Sequence, residues 1–522
     1  MKNNTMKNNT ICRVVVVFVL AVAFQSCEKY LEEMPQNKLK PSTTADYDEL
    51  LNNGYISAQI MPYLDVLSDD VEMLPENQVT GGATLNMSNE MMGAYMWRNA
   101  HEESMPGNDI AFEKLYQSIF YANVVLDGIS DALGVVLDGD IIQRTRDNIK
   151  GEAYALRAYS YFYLVNLYAK YYDPKSGDVD AGVPITLTAG AEDKAYTCHS
   201  LGEVYELIAA DLEKAVTLME KNPIPKDEKL KFTAISAQAL LARVYLYMHR
   251  WDEAIAHAKA VIAKNPTLFS LHPYGETLTS ANNVATIFLD PVLPENGEDY
   301  LRKENANVLF LSGVNELVPS ISCGYAFVSY MSASRDLADQ FEPDDIRRYY
   351  FLQTFDFIGY APLYSASRKL TCVKNRYMNL VESYMSIMTQ MTGKYSRVIR
   401  TEEMYLIIAE ACASKESSDL QDAVEYLNQL RVVKFRENKY IPLRAADFTP
   451  QSLLDFIALE RRRELCFEGH RWFDLRRTTR PAMERVGYNN EVARLAKDDP
   501  RYVLQIPQRE LDVNPSIGFN PR

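Results

Sequence analysis

Apolar residues recur three and four positions apart through most of this chain, the spacing that lines one face of an α-helix. The clearest stretch runs from 200 to 266. Asp211 to Met219 closes one amphipathic helix there, and Ala234 to Met248 with Trp251 to Lys264 makes a tight pair broken only at His249-Arg250. The same design returns near the C-terminus at Glu403 to Ala413 and Leu420 to Val433. Ala409, Ala411 and Ala423 supply small contacts there, and Leu427 and Leu430 lie on the buried stripe. Gly151 to Tyr168 and Val204 to Met219 read as a third pair, split by the insertion Asp173 to Ser200. Tyr116 to Ile129 belongs to an earlier one. Between Thr267 and Arg400 the helical period fades while Gly, Pro, Ser, Asn and scattered aromatics rise, as in a long functional insertion with small elements of its own.

The pair at 234–264 fits the tetratricopeptide register. Leu241, Ala242, Tyr245, Ala254 and Pro266 stand where that repeat places Leu, a small residue, Tyr, Ala and the closing Pro. Three or more such pairs bury a shared core by stacking, which one pair cannot do. The expected fold is therefore mainly α: tetratricopeptide-like helical pairs with a long irregular insertion carrying few short strands. Trp251, at the start of its helix, reads as packing.

The N-terminus has a different pattern. Lys2, Lys7 and Arg13 lead into an apolar run from Val14 to Phe24, then Gln25-Ser26-Cys27. A helix of about 11 residues covers only about half of a ~30 Å hydrocarbon core, so the run reads as the h-region of an export signal rather than a span. A small residue followed by cysteine at its end has the form of a bacterial lipoprotein signal. Residues 1–26 are the expected signal peptide, and Cys27 is the expected lipidation site. Simple secretion is the alternative.

Composition narrows the partners. The formal net charge of −15 becomes more negative once Lys2, Lys7 and Arg13 leave, which disfavours nucleic acid and anionic membrane surfaces. Cys198, Cys323, Cys372, Cys412 and Cys466 are odd in number, far apart and without CxxC spacing, so neither a disulfide framework nor a zinc site is indicated. Cys412 and Cys466, on apolar helical faces, read as small core residues. Six histidines are scattered, and HExxH, GxSxG, P-loop and GxGxxG patterns are all missing. No cofactor and no catalytic residue is expected. Scattered Asp and Asn leave open whether a metal ion holds an insertion loop.

Several blocks, in order, resemble the SusD/RagB family of outer-membrane nutrient-binding lipoproteins. The strongest is IALERRRELCFEGHRWFDLRR at 457–477, similar to the family's late helix. With it stand GEAYALRAYSYFYLVNLYA at 151–169, GVPI at 182–185 and LQIPQRELDVNP at 504–515. LDVLSDDVEML, AYMWRN and LYQSIFYANVVLDGI precede them; Phe519-Asn520-Pro521-Arg522 departs from the usual Gln-Asn-Pro-Gly ending. The resemblance implies one body over 27–522: an N-terminal segment with tetratricopeptide-like helices to 266, a variable ligand-binding insertion over 267–400, and a final helical pair with the family's C-terminal block over 401–522. It further implies a lipid-anchored cap on the outer face of the outer membrane. Such a cap takes up oligosaccharide, or peptide in some relatives, and passes it to a SusC-like TonB-dependent transporter. A tetratricopeptide scaffold that docks proteins and binds no nutrient is the rival of a different class.

A sugar site needs flat aromatic surface beside polar donors and acceptors. Trp97, flanked by Tyr95, Arg98 and Asn99, occupies the place where the resemblance implies a pocket Trp with a polar neighbour. A buried Trp anchoring the N-terminal segment is the competing reading. Relatives that bind starch-like glycans complete the site with aromatics of the insertion, often Trp. This insertion has none, which argues against starch-like specificity and leaves Tyr274, Tyr300, Tyr325 and Tyr330 as substitutes. The arginines of 461–477, interleaved with Glu460, Glu464, Glu468 and Asp474, read as structural ion pairs, and Trp472 and His470 as architecture. Asp344-Asp345 before Arg347-Arg348 reads as a charge-compensated helix start.

Overall fold

The computed structural model describes residues 41–56, 60–73, 91–98, 110–133, 139–190, 195–221, 228–278, 284–286, 300–314, 331–356, 368–372, 374, 395–415, 417, 419–487 and 490–522. Ten helices carry the fold described here: α1 (Thr44–Asn52), α2 (Ala111–Gly128), α3 (Gly139–Tyr168), α4 (Leu201–Lys221), α5 (Ala234–Tyr247), α6 (Trp251–Lys264), α7 (Thr401–Ser414), α8 (Leu420–Val432), α9 (Pro450–Leu465) and α10 (Arg471–Arg477). Helices α2 to α6 pack each on the next in chain order. α7 then docks on α6, and α8 and α9 dock on α7. The fold is mainly α, as its periodicity predicts. No helix among the described residues is long and apolar enough to cross a membrane.

Local chemistry sets these helices. Thr233 caps α5 by accepting from Ser236 N, and Thr449 caps α9 in the same way through Ser452 N, with Pro450 in the first turn. α5 and α7 are buried around nearly their whole circumference and form the centre of the stack. α6 buries only Ala254, Ala258 and Val261, a small-residue stripe that permits close approach. Gly151 on α3 serves the same end, since a Cβ there would lie 2.8 Å from Met219 Cγ on α4.

The insertion supplies most of the strands. β1 (Val71–Met73) of the N-terminal segment pairs antiparallel with β4 (Met331–Ala333), which lies within the insertion. β2 (Val284–Thr286), β5 (Leu352–Asp356) and β6 (Arg368–Cys372) form a small sheet, and β3 (Val308–Val314) pairs with β7 (Tyr395–Arg400). The hairpin β8 (Met483–Val486) and β9 (Val492–Leu495) follows α10.

Buried charge holds the parts together. Arg157 of α3 donates to Asp211 of α4 at 2.7 and 3.0 Å and to Asn123 of α2 at 2.8 Å, joining three helices. Arg243 of α5 donates to Glu403 of α7 at 2.6 and 2.7 Å, linking the two sides of the insertion. Beneath the insertion lies a fully buried lattice. Arg347 meets Asp345, Glu460 and Glu464 at 2.7, 2.7 and 2.9 Å, and Arg400 meets Glu464, Glu468 and Glu402 at 2.6, 2.9 and 3.2 Å.

One element differs from its sequence reading. The 457–477 block is two helices rather than one, because Phe467 and Gly469 adopt left-handed φ values of 58° and 75°. The terminal carbonyls of α9 are taken up by cations: Lys374 Nζ donates to Glu464 O and Cys466 O, and Arg400 donates to Glu464 O. The arginines of this block are structural, but most of their partners are distant in sequence: Arg461 with Glu410, Arg462 with Asp70 and Asp336, Arg471 with Asp69. Trp472 stacks on Tyr502 at 4.9 Å, and Cys412 and Cys466 are buried.

Candidate functional site

A cavity of ≈540 Å³ lies where the N-terminal segment, the insertion and the C-terminal hairpin meet. Its walls are Asp69 and β1 on one side, Ser334-Arg335-Asp336 after β4 on another, and β8 on the third, with Tyr95 and Trp97 between them. The β1–β4 ladder places the first two walls, continued by Ser334 N donating to Asp70 O at 2.8 Å.

Trp97 is held from several directions. It follows the short helix Met92–Tyr95 with φ 47°, a left-handed conformation that costs a bulky L-residue about 1–2 kcal/mol. Its indole Nε1 donates to Leu67 O at 2.9 Å, and its carbonyl accepts from Arg501. The Arg485 guanidinium lies 4.2 Å from its ring and 4.7 Å from that of Tyr95. Arg485 donates to the carbonyls of Val66, Leu67, Ser68 and Tyr95, and no carboxylate of the described residues lies within ion-pairing distance. Burial pulls its pKa down to about 10. Tyr95 OH accepts from Met73 N at 3.0 Å, tying the aromatic pair to β1.

The acids around the cavity are individually placed. Glu72 accepts from Arg335 N at 3.0 Å, and Glu484 pairs with Arg494 at 2.8 Å. Asp336 pairs with Arg462 at 2.6 Å. Burial raises the Asp69 carboxyl, but the hydrogen bond and charge of Arg471 outweigh it and hold the group at about 2.

Both sequence readings of Trp97 bear on this geometry. Trp97 is an anchor, only 2% exposed, and with Tyr95 it also lines the cavity. At that exposure it offers little stacking surface. Tyr274 and Tyr300 require correction. Tyr300 is wholly buried, donates to Glu464 at 2.6 Å and accepts from Lys434, so its ring belongs to the charge lattice. Tyr274 packs 4.9 Å from Tyr350, and neither tyrosine lines the cavity. The irregular aromatics that suggested a binding surface include the insertion's own core. Cys27, Asn99, Tyr325 and Tyr330 lie outside the described residues.

Sequence reasoning missed Glu72, Arg335, Asp336, Glu484 and Arg485. None sits in a motif for binding chemistry; strand pairing and hairpin docking bring them together. The available signal was that Glu72 falls within the LDVLSDDVEML block.

A second cavity of ≈650 Å³ lies between α2, the 184–190 segment and the C-terminal residues 510–517. Its nearby polar groups are largely committed: Tyr116 OH donates to Pro184 O, and Asn123 donates to Thr186 O. The rest of the lining mixes Phe120, Leu187 and Val513 with Glu113, His199, Glu510 and Asn514.

Residues 29–246 match a SusD-like family described as starch-binding and associating with the outer membrane, and residues 366–522 match the SusD family. The chain belongs to the SusD/RagB family. SusD-like protein P2 of Formosa agariphila is 25% identical over an alignment covering 97% of this chain and 98% of its own. A SusD superfamily protein from Bacteroides thetaiotaomicron superposes with a TM-score of 0.68 at 23% identity, covering 92% of this chain and all of its own. A laminarin-binding SusD-like protein superposes at 0.58 with 21% identity, covering 92% and 99%.

Proposed function

We propose that this protein captures glycan in the Trp97–Arg485 cavity and delivers it to a SusC-like TonB-dependent transporter. The cavity carries the reading. It joins aromatic and Met side chains to fixed carboxylates at a junction that draws on all three parts of the chain. SusD-like proteins are binding proteins rather than enzymes, and a cavity without a catalytic constellation suits reversible capture. The family's starch-binding description and the laminarin-binding structural relative support glycan as the ligand class. In this reading residues 1–26 are a cleaved signal, acylated Cys27 tethers the chain to the outer membrane with the body facing outwards, and 267–400 is the variable insertion contributing one wall. Affinity is modest, because release into the transporter is part of the task.

Affinity electrophoresis of the chain beginning at Glu28, through gels containing a panel of polysaccharides, tests this directly. We expect retardation by at least one of them, weakened about tenfold or more in Val486→Trp. That substitution fills the cavity from a half-exposed position. Retardation unchanged in Val486→Trp would move the site elsewhere, and no retardation by any glycan would favour peptide uptake or the scaffold role.

A further inference from the structure

We propose that the cavity admits uncharged glycan and turns away glycan bearing carboxylates or sulfate esters; this rests on the reading of the cavity as a glycan site. Recognition of an anionic sugar calls for a guanidinium or ammonium able to turn its donors to the ligand. Of the two arginines among the lining residues, one is tied down and the other is outnumbered. Arg485 is buried and directs its terminal nitrogens at four backbone carbonyls. Turning them to a ligand would leave those carbonyls without their partner, at a cost that a single new ion pair does not recover. Arg335, 68% exposed and a loose 3.5 Å from Glu72, is the one exposed cation of the lining, and it stands against the three carboxylates of Glu72, Asp336 and Glu484.

Carboxylates dominate the solvent side. Asp336 and Glu484 have side chains 66% and 56% exposed, and Glu72 is partly open beside them. Their cationic partners differ in position. Arg462 reaches Asp336 from the buried side, and Arg494 pairs with Glu484 across the exposed face of the hairpin. An exposed pair of that kind cancels little of the field at the mouth. An anionic ring entering here meets like charge first. At separations of roughly 6 Å and an effective dielectric of about 40, between the near-surface and bulk-water values, each such encounter is worth about a tenfold loss in affinity, and salt screens it.

The test uses laminarin, soluble starch, arabinogalactan and galactomannan, each beside the same polymer oxidised at C6 to the carboxylate. The full chain from Glu28 is run at low salt and in 0.5 M NaCl, roughly a 4 Å Debye length. We expect the oxidised form of a bound polymer to bind at least about tenfold more weakly at low salt. High salt and the pair Glu72→Gln with Glu484→Gln should both narrow that gap. Gln keeps the acceptor that Arg335 N uses at position 72, so the fold is retained, and an unchanged thermal midpoint checks this. Equal or tighter binding of the oxidised polymer would overturn the proposal while leaving the glycan site standing. So would a gap that persists in both the Gln variant and high salt, because the discrimination would then be steric. Failure of every polymer, neutral and oxidised alike, would overturn the glycan reading itself.

Discussion

Arg400 shows how much a single side chain carries here. It is wholly buried, meets three carboxylates and donates to Glu464 O at the end of α9. Removing one member of such a cluster strands its partners' charge, which typically costs 3–5 kcal/mol. Arg400→Met is therefore expected to lower unfolding free energy by about that amount in urea titration. Arg444→Met, which removes an exposed pair with Asp447, should change it by less than about 0.5 kcal/mol. Equal effects of the two would refute the distinction. Residue types alone could not make it, because nothing local separates a buried cluster around Arg400 from an exposed pair such as Arg444–Asp447. Trp97 behaves similarly. Its neighbours in sequence suggested a site, but its left-handed backbone and the guanidinium over its ring follow from the docking of β8.

At the level of elements, helix existence was legible and helix ends were less so. Ala234 to Met248 and Trp251 to Lys264 are read nearly to the residue, because an apolar period and a Thr cap are local signals. The break within 457–477 is not local. It depends on Lys374 and Arg400 receiving the α9 carbonyls and on Gly469 N donating to Asp65 at 3.3 Å. Gly469 holds φ 75°, and a Cβ there would stand 3.3 Å from Leu64 Cδ1. Gly469→Ala should cost about 1–2 kcal/mol by thermal or chemical unfolding. A neutral result would show that the linker relaxes without strain.

For the molecule as a whole, buried charge predicts the response to acid. Burial raises Glu468, but Arg400 and Lys374 outweigh it and hold the group at about 2; Asp69 is held there by Arg471. Carboxylates with lowered folded pKa values supply stability that is present above their unfolded value near 4 and is lost as pH falls towards 2. Asp65 and Glu152, raised to about 7 by burial, act in the opposite direction, so acidification from pH 8 to about 5 relieves their cost. His470, lowered to about 4 by burial, withdraws part of that gain below pH 6.5. Calorimetry should find the highest thermal midpoint near pH 5–6 and a steep fall between pH 4 and 2.5. A midpoint flat to pH 2.5 would mean that the lattice carboxylates do not ionise as the geometry requires. The helical pairs were legible in the sequence alone, because periodicity, small-residue spacing and caps act between residues close along the chain, and the family was legible from the resemblance of its blocks taken in order. The cavity, the buried lattice and the placement of Tyr300 inside it were decided only by tertiary structure, because each joins residues tens to hundreds of positions apart whose burial no local pattern encodes.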